Sequence, residues 1–161
     1  MLRRLAAVLE TATAALLLAA VALNFANVIA RYAFGRPIVA TEEILQYANV
    51  WIVMLAAAGV TRLDMHLRLD VLVPRRRPRL LRILELVIAA LGAGLAAFVV
   101  IQGARIVALT YDVGQRSIAA GIPLVVVYLA IPIGFGCGLV FLLDRLWRLS
   151  RAPEPPDTAP P

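Results

Sequence analysis

In a chain of 161 residues that is 62% hydrophobic, the groups able to do chemistry are few enough to weigh one by one. Asn24, Asn27 and Arg31 are spaced by three and four residues; Glu42, Gln46 and Asn49 reverse that spacing. On helices each trio falls on one face, so two stripes of amides and charges stand a short connection apart, with Glu43 adding a second carboxylate. Two chemistries suit them. One is adhesion, with Arg31 paired to Glu42 or Glu43 and amides bonding across a helix interface or to a partner. The other is a polar pathway for an ion or solute. Adhesion fits better, because these groups lie near the ends of apolar runs and no ionisable residue occupies the middle of one.

The single histidine, His66, lies in the stretch Arg62-Leu63-Asp64-Met65-His66-Leu67-Arg68-Leu69-Asp70. Asp70, four residues on, would hydrogen-bond it in a helix, a structural role at an interface. Catalysis lacks its usual parts. Bis-histidine haem ligation needs a second histidine, zinc a cluster of ligands, and quinone-coupled thiol chemistry a pair of cysteines. Cys137 is the only cysteine and sits within an apolar run, so an intrachain disulfide is ruled out. An intramembrane serine protease needs serine and histidine together, whereas Ser117 and His66 fall on opposite sides of the expected membrane. The sequence therefore reads as a protein with no enzyme activity, no metal and no cofactor.

Four uncharged runs can position these groups: Thr11 to Ala30, Ile44 to Thr61, Leu86 to Ala104, and Ser117 to Leu143, the last with its helix over about 122–143. Crossing about 30 Å of hydrocarbon takes about 20 helical residues. The expected fold class is thus an all-α integral membrane protein, one domain of four transmembrane helices over residues 1–151 with short loops. The first run is too long for the core of a cleaved signal, about 7 to 15 residues, and reads as a retained helix. Residues 152–161, Ala-Pro-Glu-Pro-Pro-Asp-Thr-Ala-Pro-Pro, have nothing to bury and read as a disordered tail.

All sixteen basic residues are arginine. Twelve fall before the first run, between the second and third, and after the fourth; four (Arg31, Arg36, Arg105 and Arg116) fall in the other two connections. Positive loops stay cytoplasmic, which places both termini and the Arg-rich second loop inside. The run Pro74-Arg75-Arg76-Arg77-Pro78-Arg79 then reads as attracted to anionic lipid headgroups, with no nucleic-acid partner called for.

Gly134 and Gly138 form a small-xxx-small pair in the fourth run, as do Gly92 and Ala96 in the third, permitting close approach within the chain or a seam for another subunit. Pro123 suits the first turn of the fourth helix. Pro132 lies inside that helix and predicts a kink near Leu129.

Taken in order, these residues resemble the small membrane subunit of tripartite ATP-independent periplasmic (TRAP) transporters, the DctQ-like family. Asn27-Val28-Ile29-Ala30-Arg31-Tyr32-Ala33-Phe34-Gly35-Arg36-Pro37 looks like the family's exit from its first span, and Thr41-Glu42-Glu43-Ile44 like the acidic entry to its second. Trp51, Gly59 and His66-Leu67-Arg68-Leu69-Asp70 follow in place. Gly114, Ser117, Ala120-Gly121-Ile122-Pro123, Tyr128 and Ile131-Pro132 then resemble the approach to the fourth. Ala40 departs from the pattern, where relatives often carry an aromatic residue.

The resemblance implies an accessory subunit of the bacterial inner membrane. Its partners would be a large permease subunit holding the sodium and substrate sites and a soluble periplasmic solute-binding protein, together importing organic acids on a sodium gradient. Asn27, Arg31, Glu42, Glu43, Gln46, Asn49, His66, Asp70, Pro123, Gly134 and Gly138 are the subunit-interface or structural candidates. The alternatives are a stand-alone four-span exporter working as a homodimer, and a purely structural membrane protein.

Overall fold

Long apolar stretches without internal helix breakers become long helices, as the computed structural model of residues 2–63 and 78–151 shows. Helix α1 spans Leu2–Phe34, α2 Thr41–Leu63, α3 Pro78–Val113, α4 Leu124–Tyr128 and α5 Ala130–Arg151. The two short connections between described helices bend through left-handed glycines, Gly35 at φ 64° and Gly114 and Gly121 at 65° and 66°, a region that other residues enter at a steric penalty. Among the described residues no strand forms; Arg116 and Pro123 make one isolated bridge.

Four helical segments are long and apolar enough to cross a membrane: Leu2–Phe34, Thr41–Thr61, Arg82–Val113 and Leu124–Arg151. They run past the uncharged windows of the sequence because a helix does not end where charge begins. With its 33 residues, α1 is about 50 Å long at about 1.5 Å per residue, well beyond the hydrocarbon thickness. Its first turns carry Arg3 and Arg4 clear of the apolar zone.

The fourth crossing is broken where Pro132 requires it. Leu129 separates α4 from α5, so Pro132 occupies the first turn of α5, where its missing N–H is not needed. Pro123 stands just before α4 as its N-cap residue, with φ −61° and ψ 124°. The break leaves a carbonyl for tertiary use, and the Trp51 indole N–H of α2 donates to the Val126 carbonyl at 3.1 Å.

The helices pack as a row in the order α1, α2, α5, α3. Ala6 and Leu9 of α1, Leu55 and Ala58 of α2, and Phe141 of α5 form one buried cluster. Ala93 and Ala96 of α3 close on Leu142 of α5 in the other. Alanine and glycine dominate these seams because no hydrophobic gain drives helices together in lipid, and close backbone approach supplies the dispersion energy instead. Hydroxyls inside the helices are met locally: Thr13 donates to the Leu9 carbonyl, Thr61 to Ala57 and Thr110 to Ile106, at 2.7 to 2.8 Å. Meanwhile large apolar side chains such as Leu18, Phe25, Leu91, Leu95 and Phe98 lie open on the outside, as a bilayer or a membrane partner demands.

The tightest crossing is between α2 and α5. A methyl group on Gly134 would lie 2.7 Å from the Met54 carbonyl oxygen and 2.8 Å from its Cβ, and that backbone cannot swing aside. Gly138, one turn on, is looser, with Thr61 Oγ1 at 3.7 Å. Gly134→Ala should therefore destabilise the detergent-solubilised chain by about 1–3 kcal/mol, read as a lowered melting temperature. Gly136→Ala, with nothing within 4 Å, should leave it nearly unchanged; equal melting of the two variants would dismiss the crossing as the reason for Gly134.

Candidate subunit-docking surface

At the end of the row opposite the termini, both connections are held by side chains rather than left as free loops. Gly35 turns the chain out of α1, and the Arg36 N–H closes onto the Ala30 carbonyl at 3.1 Å. Asn27, buried about two turns before Gly35, accepts the Ile38 N–H on Oδ1 at 2.9 Å. The Thr41 N–H then donates to the Ile38 carbonyl at 3.0 Å as α2 begins, with the Thr41 side chain fully buried.

The second connection is a small hairpin. Gln115 accepts the Leu124 N–H at 3.1 Å, and Ser117 donates its N–H to Ile122 at 2.9 Å. The buried Ser117 hydroxyl oxygen receives the Ile122 N–H at 3.1 Å. The tip of this hairpin would still have two N–H groups pointing nowhere, and Glu43 supplies the acceptor: its carboxylate takes the Ala119 N–H at 3.1 and 3.2 Å and the Ala120 N–H at 2.9 Å. Thus the first turn of α2 staples the hairpin that leads into α4. Beside the staple, Ile118 is 100% exposed, with Tyr32, Phe34 and Val39 also open.

Arg31 and Glu42 form an ion pair at 3.6 Å. Both are well exposed, so the pair is worth at most about 1 kcal/mol and tethers α1 to α2 weakly. The structure thus divides the two carboxylates: Glu42 meets Arg31, and Glu43 fixes backbone. The amides, however, do not bond across the helix interface as their spacing suggested. Asn24, Gln46 and Asn49 are exposed, because α2 turns Leu55 and Ala58 inward and leaves Gln46, Asn49, Val53, Ala57 and Val60 as one open stripe. Of the amides in the two stripes only Asn27 is consumed, and by a loop.

Gly134 and Gly138 lie on the buried face of α5 toward α2, and Pro123 closes the hairpin. His66 and Asp70, with the arginine run from Arg75 to Arg77, lie outside the described residues. Sequence reasoning missed the Ser117 latch, the Trp51 bond and the Glu85–Arg145 ion pair at 3.5 Å between α3 and α5. The last had a signal, opposite charges placed just outside the matching ends of two runs. Among the described residues, no group of three or more histidine, cysteine or acidic residues is placed to hold a metal ion.

Over residues 20–152 the chain matches the family described as tripartite ATP-independent periplasmic transporters, DctQ component. The chain belongs to the DctQ family. The match spans the loop bonds of Asn27 and Glu43, the α2 stripe, the Gly134 crossing and the whole of α5. As a DctQ component this is a multi-pass membrane protein and a small subunit of a TRAP transporter, working with the other components of such a system. No curated protein sequence matches the chain.

Because Glu43 serves the hairpin, its loss should act there first. Glu43→Ala is expected to speed amide hydrogen exchange at Ala119 and Ala120 by roughly ten-fold, while Glu42→Ala leaves those amides as they are. Equal exchange in the two variants would remove Glu43 from the hairpin's support.

Proposed function

We propose that this DctQ subunit is a scaffold: it steadies the large permease subunit in the bacterial inner membrane, and its looped end helps dock the periplasmic solute-binding protein during sodium-coupled uptake of organic acids. The observation that carries this reading is the placement of polarity. Every charged residue in the sequence lies outside the four uncharged runs, so the middle of each crossing lacks the charged groups with which secondary transporters hold solute and ion. Transport chemistry then belongs to a partner.

The α2 stripe supports the same conclusion. Gln46 and Asn49 are exposed within a helix that crosses lipid, and an amide facing hydrocarbon finds no hydrogen bond. A covering helix from the large subunit supplies one. The stapled hairpin, with Ile118 at its rim, is the firm outer surface a soluble partner needs. In this reading the termini and the Arg-rich loop are cytoplasmic, following the arginine bias, and that loop rests on anionic headgroups.

Four measurements test the proposal. Gln46→Leu with Asn49→Leu should lower the yield of complex with the large subunit at least about five-fold, with membrane insertion intact. Glu42→Ala with Glu43→Ala should lower uptake by the assembled transporter; unchanged complex yield and uptake would strip these residues of the role, and solute movement by the reconstituted chain alone would replace the scaffold with a stand-alone exporter. Separately, in an Ile118→Cys chain carrying Cys137→Ala, a membrane-impermeant maleimide should label intact cells, and labelling only after lysis would invert the topology.

A further inference from the structure

At the end of the row that gathers the termini, a cavity of about 400 Å³ opens among all four crossings, with Arg3, Glu85, Asp144, Arg145 and Arg148 in its walls beside Leu2, Phe141 and Leu149. Its carboxylates are already neutralised. Glu85 pairs with Arg145 at 3.5 Å, and Asp144 accepts from Arg148 Nε at 2.7 Å. Arg3 is exposed and pairs with none of the described residues, and the buried Nη2 of Arg145 has no hydrogen-bond partner among them. The cavity therefore holds three guanidiniums against two spent acids, a net positive site with donors to spare.

This charged cavity does not stand alone. A second, apolar groove of about 110 Å³ runs along α5 between α2 and α3, floored by Gly134 and Gly138 and flanked by Ala57, Gly92 and Ala96. Thr61 and Leu142 line both, so the groove continues from the charged cavity toward the middle of the row. A cationic chamber at the rim of an apolar crossing, opening into a narrow groove paved with glycine and alanine, has the polarity profile of one amphiphile. We propose that the two cavities are a single binding site for an anionic phospholipid, its phosphate among Arg3, Arg145 and Arg148 and an acyl chain lying in the groove between α2 and α3. Charge selects the headgroup, since guanidinium forks match phosphate oxygens, and the short side chains of Ala57 and Ala96 along the groove walls leave room for the chain. The bound lipid would fill the gap between α2 and α3, which α5 bridges along its length and α4 at one end.

The test is native mass spectrometry of the full chain released from bilayers of mixed phosphatidylglycerol and phosphatidylcholine. Retention of one phosphatidylglycerol in preference to phosphatidylcholine supports the site. Arg3→Gln should reduce that retention about five-fold and Arg3→Gln with Arg148→Gln about thirty-fold, at about one guanidinium's attraction each. Ala57→Leu, which fills the groove from its open side and leaves every arginine in place, should reduce it as well. Circular dichroism checks that each variant keeps its helices, and since Arg3 and Ala57 are both exposed, neither change enters a packed seam. Equal retention of the two lipids, retention unchanged by Ala57→Leu, or displacement by excess inorganic phosphate would overturn the proposal, the last by showing a bare anion site. So would loss of the lipid when the large subunit is bound, since the groove would then belong to a protein helix.

Discussion

Everything in this molecule hangs from the place where α5 crosses α2 with Gly134 against the Met54 backbone. The two edge helices share no substantial interface with one another; α1 packs chiefly on α2, and α3 on α5 with a smaller contact to α4. A single side chain at Gly134 would push the central pair apart and with it the two halves of the row. Dispersion between close backbones is what holds helices together when the solvent is as apolar as the side chains, and it falls away steeply with distance. A glycine at the crossing is thus the physical condition for a stable row.

Polarity is dealt with differently at the two ends. At the looped end, side chains from helices reach into connections: Asn27 to Ile38, Glu43 to Ala119 and Ala120, Ser117 to Ile122. Each supplies a partner for backbone groups that a turn would otherwise leave unpaired near the edge of a membrane. At the other end the contacts run between helices, an ion pair from Arg145 to Glu85 and a hydrogen bond from Arg82 Nη2 to the Leu149 carbonyl at 2.8 Å. One end is therefore a fixed surface and the other a charged chamber. That asymmetry fits the proposed arrangement, with a soluble partner at the looped end and lipid at the other.

Much of the candidate surface is legible in the residues alone. Four crossings follow from run length, the break at Leu129 from Pro132, and the Arg31–Glu42 pair from a three-and-four spacing across a short loop. What spacing cannot reveal is rotation. Gln46 and Asn49 mirror Asn24 and Asn27 in sequence, yet α2 is turned so that they face outward, because its inward face is claimed by Ala58 and Leu55 against α1 and α5. Nor does sequence separate the roles of Glu42 and Glu43: neighbours on a helix differ by about 100° in direction, enough to send one to Arg31 and the other to the hairpin.

By itself, then, the sequence determined that this chain belongs to a membrane, carries four stretches long and apolar enough to cross one, keeps its charges outside the four uncharged runs and belongs with the small subunits of TRAP transporters. These properties are sums over many residues, and no single contact is needed to establish them. Only the tertiary structure decided that the helices form a row with α2 and α5 at its centre, that Glu43 fixes the far hairpin, and that a charged chamber opens into an apolar groove. Those depend on which faces meet, and the meeting of faces is settled by a few close contacts between residues far apart in the chain, such as Gly134 with Met54 and Glu43 with Ala120, that leave no trace in local pattern.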